Sequence, residues 1–328
     1  MRAYPKFVTF RNLIRSNKRK SAVLILCMLL LSIVIGAVIA AGFAAYGGAD
    51  VDVLVPALAF GGIAAGFAGG GASLWSFYGG SNAILKMSGA KELPREDDPQ
   101  LHNVIEELAI AAGVPKPKVF LIDSPALNAF ATGRDPAHGA VAITRGLREQ
   151  LSRDELAGVM AHEISHIRHL DIRFAMLMAT MVGLIVLMSE MFWRTLRYSS
   201  MTRGGRRGGG GKGGGAVMIV VLVVALLLAI VAPLLAMMIR FAVSRQREYL
   251  ADAGAVELTR YPQGLIGALE KLGASHVDVE TANKATAHLF IVNPLRSAAR
   301  GEGHEVSSVF RTHPPLHDRI ARLRALIE

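Results

Sequence analysis

Charged residues fall unevenly along this chain. Residues 21–49 contain no Asp, Glu, Lys or Arg, residues 53–85 again contain none, and residues 174–189 and 213–239 form two more uncharged runs. A membrane-spanning helix needs about 20 mainly apolar residues. The first, second and fourth runs reach that length, and the sixteen residues at 174–189 are marginal. The run at 21–49 exceeds a signal-peptide core of roughly 7–15 residues, so it reads as a retained transmembrane helix. Seven Lys or Arg and no acid in residues 1–20 place the N-terminus on the cytoplasmic side. Asp50 and Asp52 then form a turn on the far side, and the second run returns the chain. Gly62, Gly66 and Gly70 form a small-residue ladder suited to close helix contact.

Between these runs the pattern is that of a soluble domain. Asp98-Pro99 opens a helix whose apolar face is Leu101, Val104, Ile105, Leu108 and Ala109, and Gly113 ends it. Val119–Ile122, Asn128–Ala131 and Ala140–Ile143 read as short strands. Ser152 and Glu155 form a capping box ahead of a helix carrying Leu156, Val159, Met160 and Ile164. After the last run, Arg245–Gly254, Gly264–Leu272 and a segment with Ile320, Leu323 and Ile327 read as helices. The expected fold is a mainly α-helical membrane protein with about four transmembrane segments and a small β-sheet beside the Ser152-capped helix. Four regions follow: 1–85 with two transmembrane helices, 86–173 as a cytosolic part, 174–240 with two further apolar segments, and 241–328 as a second cytosolic part.

Composition agrees with membrane spans. Of 328 residues 52% are hydrophobic and only 19% charged. The net charge of +10 is concentrated in residues 1–20 and 194–212, without interleaved aromatics, which points to a lipid surface and not to nucleic acid. The Gly/Arg-rich stretch 203–215 is a flexible linker. Lys212 there is followed by Gly213 and no strand precedes it, so no nucleotide site is expected. The single cysteine, Cys27, excludes a disulfide framework or cysteine-based zinc site within one chain. Six Lys or Arg in 194–212 run against a far-side location for that loop, leaving two full crossings or a shallow hairpin.

The candidate chemistry lies in His162-Glu163-Ile-Ser-His166. On a helix, two histidines four apart stack on one face and can reach one tetrahedral zinc ion. Glu163 then sits where its carboxylate takes a proton from an attacking water. The bland alternative is a surface helix with two histidines and a glutamate. A catalytic zinc needs a third protein ligand. Asp171, Glu190, Glu248, Asp252 and Glu257 are the acidic candidates. Asp171, five residues past His166 on what the pattern reads as the same helix, is poorly placed to reach the ion. Glu248 and Asp252 share a helical face, one as ligand and the other as support for a ligand histidine; spacing alone does not assign them. Counting adds a height argument: His166 lies eight residues before the apolar run at Phe174, and Glu248 eight after Arg240. Straight helices would put both about 12 Å from the hydrocarbon edge.

Four segments occur in the order Asn128-Ala-Phe-Ala-Thr-Gly133, His162-Glu-Ile-Ser-His166, Arg247-Glu-Tyr-Leu-Ala-Asp-Ala-Gly254 and Thr312-His-Pro-Pro315. In this combination, between the apolar runs, the chain resembles the integral-membrane zinc metalloproteases of the HtpX type, related to the CAAX prenyl endoproteases. The resemblance covers nearly the whole chain. It implies a zincin-like catalytic domain, one Zn2+ per chain held by His162, His166 and Glu248, and Asp252 as support. It also implies Asn128 and Ala129 on an edge strand that binds substrate backbone, and His313 steadying the oxyanion; read alone, His313 is equally a loop histidine before a proline-initiated helix. The implied protein is a multi-pass cell-membrane endopeptidase with a cytoplasmic catalytic domain, cleaving membrane or membrane-near polypeptides in quality control. The alternatives are a prenyl-processing endoprotease and a non-catalytic membrane scaffold with a structural metal site.

Overall fold

A computed structural model of the protein describes residues 10–46, 50–180, 245–274, 291 and 314–326. The linker 203–215, the fourth apolar segment, most of the third and His313 lie outside the described residues. The chain divides into two compact units, one of residues 1–21, 76–180 and 239–328, the other of 22–75 and 181–238.

In the second unit two long helices meet, α1 (Phe10–Tyr46) and α2 (Val51–Met87). Their closest approach is not at the Gly62/Gly66/Gly70 ladder. It is at Gly36 and Gly61, where a Cβ on either residue would collide with the other's carbonyl. The ladder glycines make looser contact, Gly62 and Gly66 facing Ile33 and Gly70 facing Leu29. Among the described residues Asp52–Met87 is the helix long and apolar enough to cross a membrane. Phe60, Ile63, Phe67 and Leu74 are exposed along it. Pro56 lies in its second turn, where its missing N–H removes the one ladder bond to the Asp52 carbonyl.

The first unit holds a four-stranded mixed sheet in the order β1 (Ala90–Glu92), β2 (Lys118–Ile122), β4 (Ala140–Thr144), β3 (Ala129–Thr132). Strands β2 and β4 are parallel; β1 and β3 run antiparallel to their neighbours. The sequence pattern locates β2, β3 and β4 but misses β1, which has three residues with charged Lys91 and Glu92. Helix α3 (Pro99–Ala112) has the Asp98 cap and ends at Gly113 with φ 67°, a conformation glycine adopts without strain. Helix α4 (Arg145–Gln150) leads into α5 (Arg153–Arg168), whose capping box is complete on both sides. Apolar α5 residues Leu156, Val159, Met160 and Ile164 join one core with Leu101, Ile105 and Ile143.

The motif helix does not run on toward the apolar segment. It caps at His169, Leu170 takes the left-handed φ of 60°, and residues 171–180 form a separate helix, α6. A non-glycine residue there costs about 1–2 kcal/mol. Leu170 is buried, so packing holds it. The straight-helix height argument therefore fails on the His166 side, and Asp171 stands on a different helix from the histidines.

Three helices complete the unit: α7 (Arg245–Thr259), α8 (Pro262–Ala274) and α9 (Leu316–Arg324). Helix α5 is the hub, packed against α3, α7 and α8 and against β3. Two glycines set its close approaches. A Cβ at Gly158 on α5 would lie 2.5 Å from the backbone nitrogen of Leu265 on α8, and one at Gly254 on α7 would lie 2.5 Å from Ser165 Oγ on α5. The Ser165 hydroxyl is itself tied to Ala161 O at 2.8 Å, so it cannot simply swing away. Gly254→Val therefore pushes α7 off α5, at about 1–3 kcal/mol for the overpacking. The expected result is a lower thermal midpoint together with weakened metal binding, although no candidate ligand is touched. Adding Ser165→Gly should restore both, read by thermal unfolding and metal analysis.

Candidate metal centre

One turn of α5 and the first turn of α7 face each other, on the N-terminal side of the Gly254 contact along α7. Three side chains meet there: His162, His166 and Glu248 each offer a ligand atom, all within 4.8 Å of one another. The two Nε2 atoms are 3.2 Å apart. Glu248 Oε2 lies 3.7 Å from His162 Nε2, and Oε1 lies 3.7 Å from His166 Nε2. Ligand nitrogens about 2.0–2.1 Å from a tetrahedral ion are about 3.3 Å from each other, so the imidazole pair already has the required spacing.

The other ring nitrogens are committed elsewhere. His162 Nδ1 lies 3.0 Å from Asp252 Oδ1, and His166 Nδ1 lies 3.1 Å from Asp171 Oδ2. A carboxylate on Nδ1 fixes the proton there and leaves Nε2 with its lone pair toward the third ligand. Of the two acids the sequence left open, Glu248 is the one that reaches both Nε2 atoms, while Asp252 backs His162. Asp171, which the sequence places poorly for reaching the ion, instead backs His166; the kink at Leu170 turns it inward.

The sequence reading missed Arg319. It is fully buried, and its guanidinium forks onto Asp252 through Nε–Oδ2 at 2.9 Å and Nη2–Oδ1 at 2.6 Å. Its Nη2 also lies 3.3 Å from His162 Nδ1, but that nitrogen carries the proton given to Asp252, so the carboxylate is the acceptor. The signal was present: Arg319 falls on the apolar stripe of α9 with Leu316 and Leu323, three after one and four before the other. A charge on a buried stripe requires a buried partner.

Burial and the Arg319 charge would lower the pKa of His162, but hydrogen bonds to Asp252 and Glu248 and the Asp252 charge outweigh them and push it up to about 9. Burial would raise the Asp252 carboxyl; Arg319 and His162 hold it below its ordinary value. Burial would likewise raise Asp171, yet the His166 hydrogen bond and the charges of His166 and Arg247 keep it low. Glu163, one position past His162, is buried at 3% exposure, and its charge helps raise the pKa of Arg319.

Asn128 and Ala129 lie at the start of the edge strand β3. The main chain of Asn128 is turned inward, its nitrogen bonded to Thr144 Oγ1 and its oxygen accepting from Thr144 N. Ala129 O points off the sheet and accepts from Ile291 N at 3.0 Å. His317 is exposed and lies beside Asp318. His169 and His102 are buried packing residues.

Two outcomes follow from this geometry. Arg319→Leu strands Asp252 as a buried charge, a loss of about 3–5 kcal/mol, and Lys at 319 should not rescue it because it lacks the fork. Thermal unfolding and metal content of the variants, both unchanged from wild type, would refute that role. Second, below about 9 a metal ion must displace the His162 proton. Apparent metal affinity should fall as pH falls, roughly tenfold per unit for the one proton displaced. Chelator competition between pH 6 and 8 measures that slope.

A family model for Peptidase family M48 matches residues 95–327. A "Protease HtpX homolog" from Dictyoglomus turgidum is 45% identical over 254 residues, covering 77% of this chain and 78% of that protein. Another, from Streptococcus uberis, is 40% identical over 311 residues, covering 95% and 98%. The crystal structure of S. mikatae Ste24p is 22% identical and covers 80% of this chain and 64% of that one; its TM-score of 0.36 supports no argument. The family match spans strands β2, β3 and β4, the motif helix α5, the Glu248 helix α7 and α9 with its buried arginine, and the chain belongs to peptidase family M48 as a metalloendopeptidase.

Proposed function

We propose that the protein is a membrane-embedded zinc endopeptidase that cleaves membrane or membrane-near polypeptides, as in quality control of misfolded proteins. The observation that carries the metal is the charge of the site. Glu163, Asp171, Glu248 and Asp252 are buried carboxylates, and among the described residues the buried cations beside them are Arg247 and Arg319. Once the His162 proton is displaced and both imidazoles are neutral, a divalent ion offsets the remaining negative charge of that set. Zinc suits two imidazoles and one carboxylate, with a fourth position left open. When bound it supplies a Lewis acid that polarises the scissile carbonyl and lowers the pKa of water.

The remaining work falls to the chain. His162, His166 and Glu248 hold the ion, while Asp252 and Asp171 orient the two imidazoles. Glu163 takes a proton from the attacking water and later passes it to the leaving amine. Asn128 and Ala129 are assigned to substrate-backbone pairing by family resemblance, and an extended substrate pairing along β3 would take the place of the Ile291 N–H on Ala129 O. His313 is assigned to the oxyanion by family resemblance; one such donor is typically worth about 3–4 kcal/mol. Membrane placement is supported by Asp52–Met87 and by the basic, acid-free residues 1–20, which run into the first turns of α1. The reading has four apolar segments and a cytoplasmic catalytic part divided as 86–173 and 241–328.

Glu163→Gln separates binding from chemistry. The amide keeps the size of the side chain and leaves every ligand in place, but it cannot accept the proton. Zinc content should equal that of wild type while casein cleavage in detergent falls by at least about 100-fold. Cleavage near the wild-type rate would exclude Glu163 as the base.

A further inference from the structure

The two metal-facing histidines are backed in the same way. Asp252 on His162 is itself clamped by Arg319. Asp171 on His166 is also clamped, and by an element with no assigned part in the site. Asn17, on α1, is 2% exposed. Its Nδ2 donates to Asp171 Oδ1 at 2.7 Å and to His169 O at 3.0 Å. These two acceptors flank Leu170, the left-handed residue at the kink. The only other side chain on Asp171 Oδ1 among the described residues is Arg247, whose Nη1 at 3.8 Å is beyond hydrogen-bond range.

We infer that Asn17 is a positioning residue for the metal centre, holding Asp171 through the kink so that its other oxygen fixes the His166 imidazole. This rests on the zinc reading above. The chain of contacts is short: the Asn17 amide donates to Asp171 Oδ1, and Asp171 Oδ2 accepts from His166 Nδ1. Both Asn17 protons on Nδ2 are used, one to fix the carboxylate and one to close the turn that presents it. An apolar residue at this position would leave Asp171 Oδ1 without its short hydrogen bond and free to rotate off His166. Helix α1 continues from Asn17 into the uncharged stretch that begins at Ser21.

The test uses full-length protein in detergent, stripped of metal, with zinc affinity measured by chelator competition. Asn17→Leu keeps the side-chain volume and removes the donors. It should weaken zinc by about 3- to 10-fold, below the 10- to 100-fold usual for losing a direct partner of a ligand histidine. Should Asn17→Leu not fold, Asn17→Ser takes its place, since one hydroxyl cannot serve both acceptors. Ser21→Ala, one turn along the same buried face, serves as the control and should bind zinc like wild type. In an Asp171→Ala background the Asn17 substitution should have no further effect on affinity. An Asn17 variant with wild-type affinity overturns the inference, as does one that weakens zinc equally with and without Asp171. His166→Ala distinguishes the two levels: if it leaves zinc affinity unchanged the zinc reading itself fails, whereas loss there with no effect at Asn17 removes only this inference.

Discussion

The structure depends on burying four carboxylates together. Glu163, Asp171, Glu248 and Asp252 are each less than 9% exposed, and isolated charges in such surroundings are costly. They are tolerated because cations and donors face them: Arg319 for Asp252, Arg247 and Asn17 for Asp171, the imidazole pair for Glu248, and the Arg319 charge again for Glu163. In the zinc reading the ion completes this balance. Removing one member exposes the others to an uncompensated interior, which is why the site and the local fold are energetically inseparable.

Backbone contact makes this arrangement achievable. The glycine at 254 allows α7 to approach Ser165 on α5, and that approach brings Glu248 over the turn bearing both histidines. The break at Leu170 does the same for Asp171: a continuous helix would have carried it around the axis, whereas the kink returns it to His166. Both devices are small in sequence, one glycine and one strained leucine, yet each sets a ligand or its support.

Much of this was legible beforehand. The capping box at Ser152, the i, i+4 histidines, the Asp98 cap and three of the four strands are local features, and local features survive into the structure. The family segments gave Glu248 where spacing alone had left it level with Asp252. What could not be read depends on long-range packing. Asp171 looked like one more residue of the motif helix because nothing in the sequence marks Leu170 for a left-handed turn. Arg319 sits 67 positions from Asp252, and its place on the apolar stripe of α9 was the only trace of its burial. Asn17 is a polar residue in a basic segment, and only the folded chain brings it to Asp171. The Gly62/Gly66/Gly70 ladder was a misplaced emphasis, since glycine is common in such helices and the tight contact is at Gly36 and Gly61.

X-ray absorption spectroscopy of the zinc-loaded full-length protein is the most direct test of the central claim, that His162, His166 and Glu248 form one metal centre. The account predicts two imidazole nitrogens at about 2.0–2.1 Å with oxygen completing the shell. It also predicts that one imidazole contribution disappears in His162→Ala and again in His166→Ala. A shell containing sulfur, or one unchanged by either substitution, would contradict it.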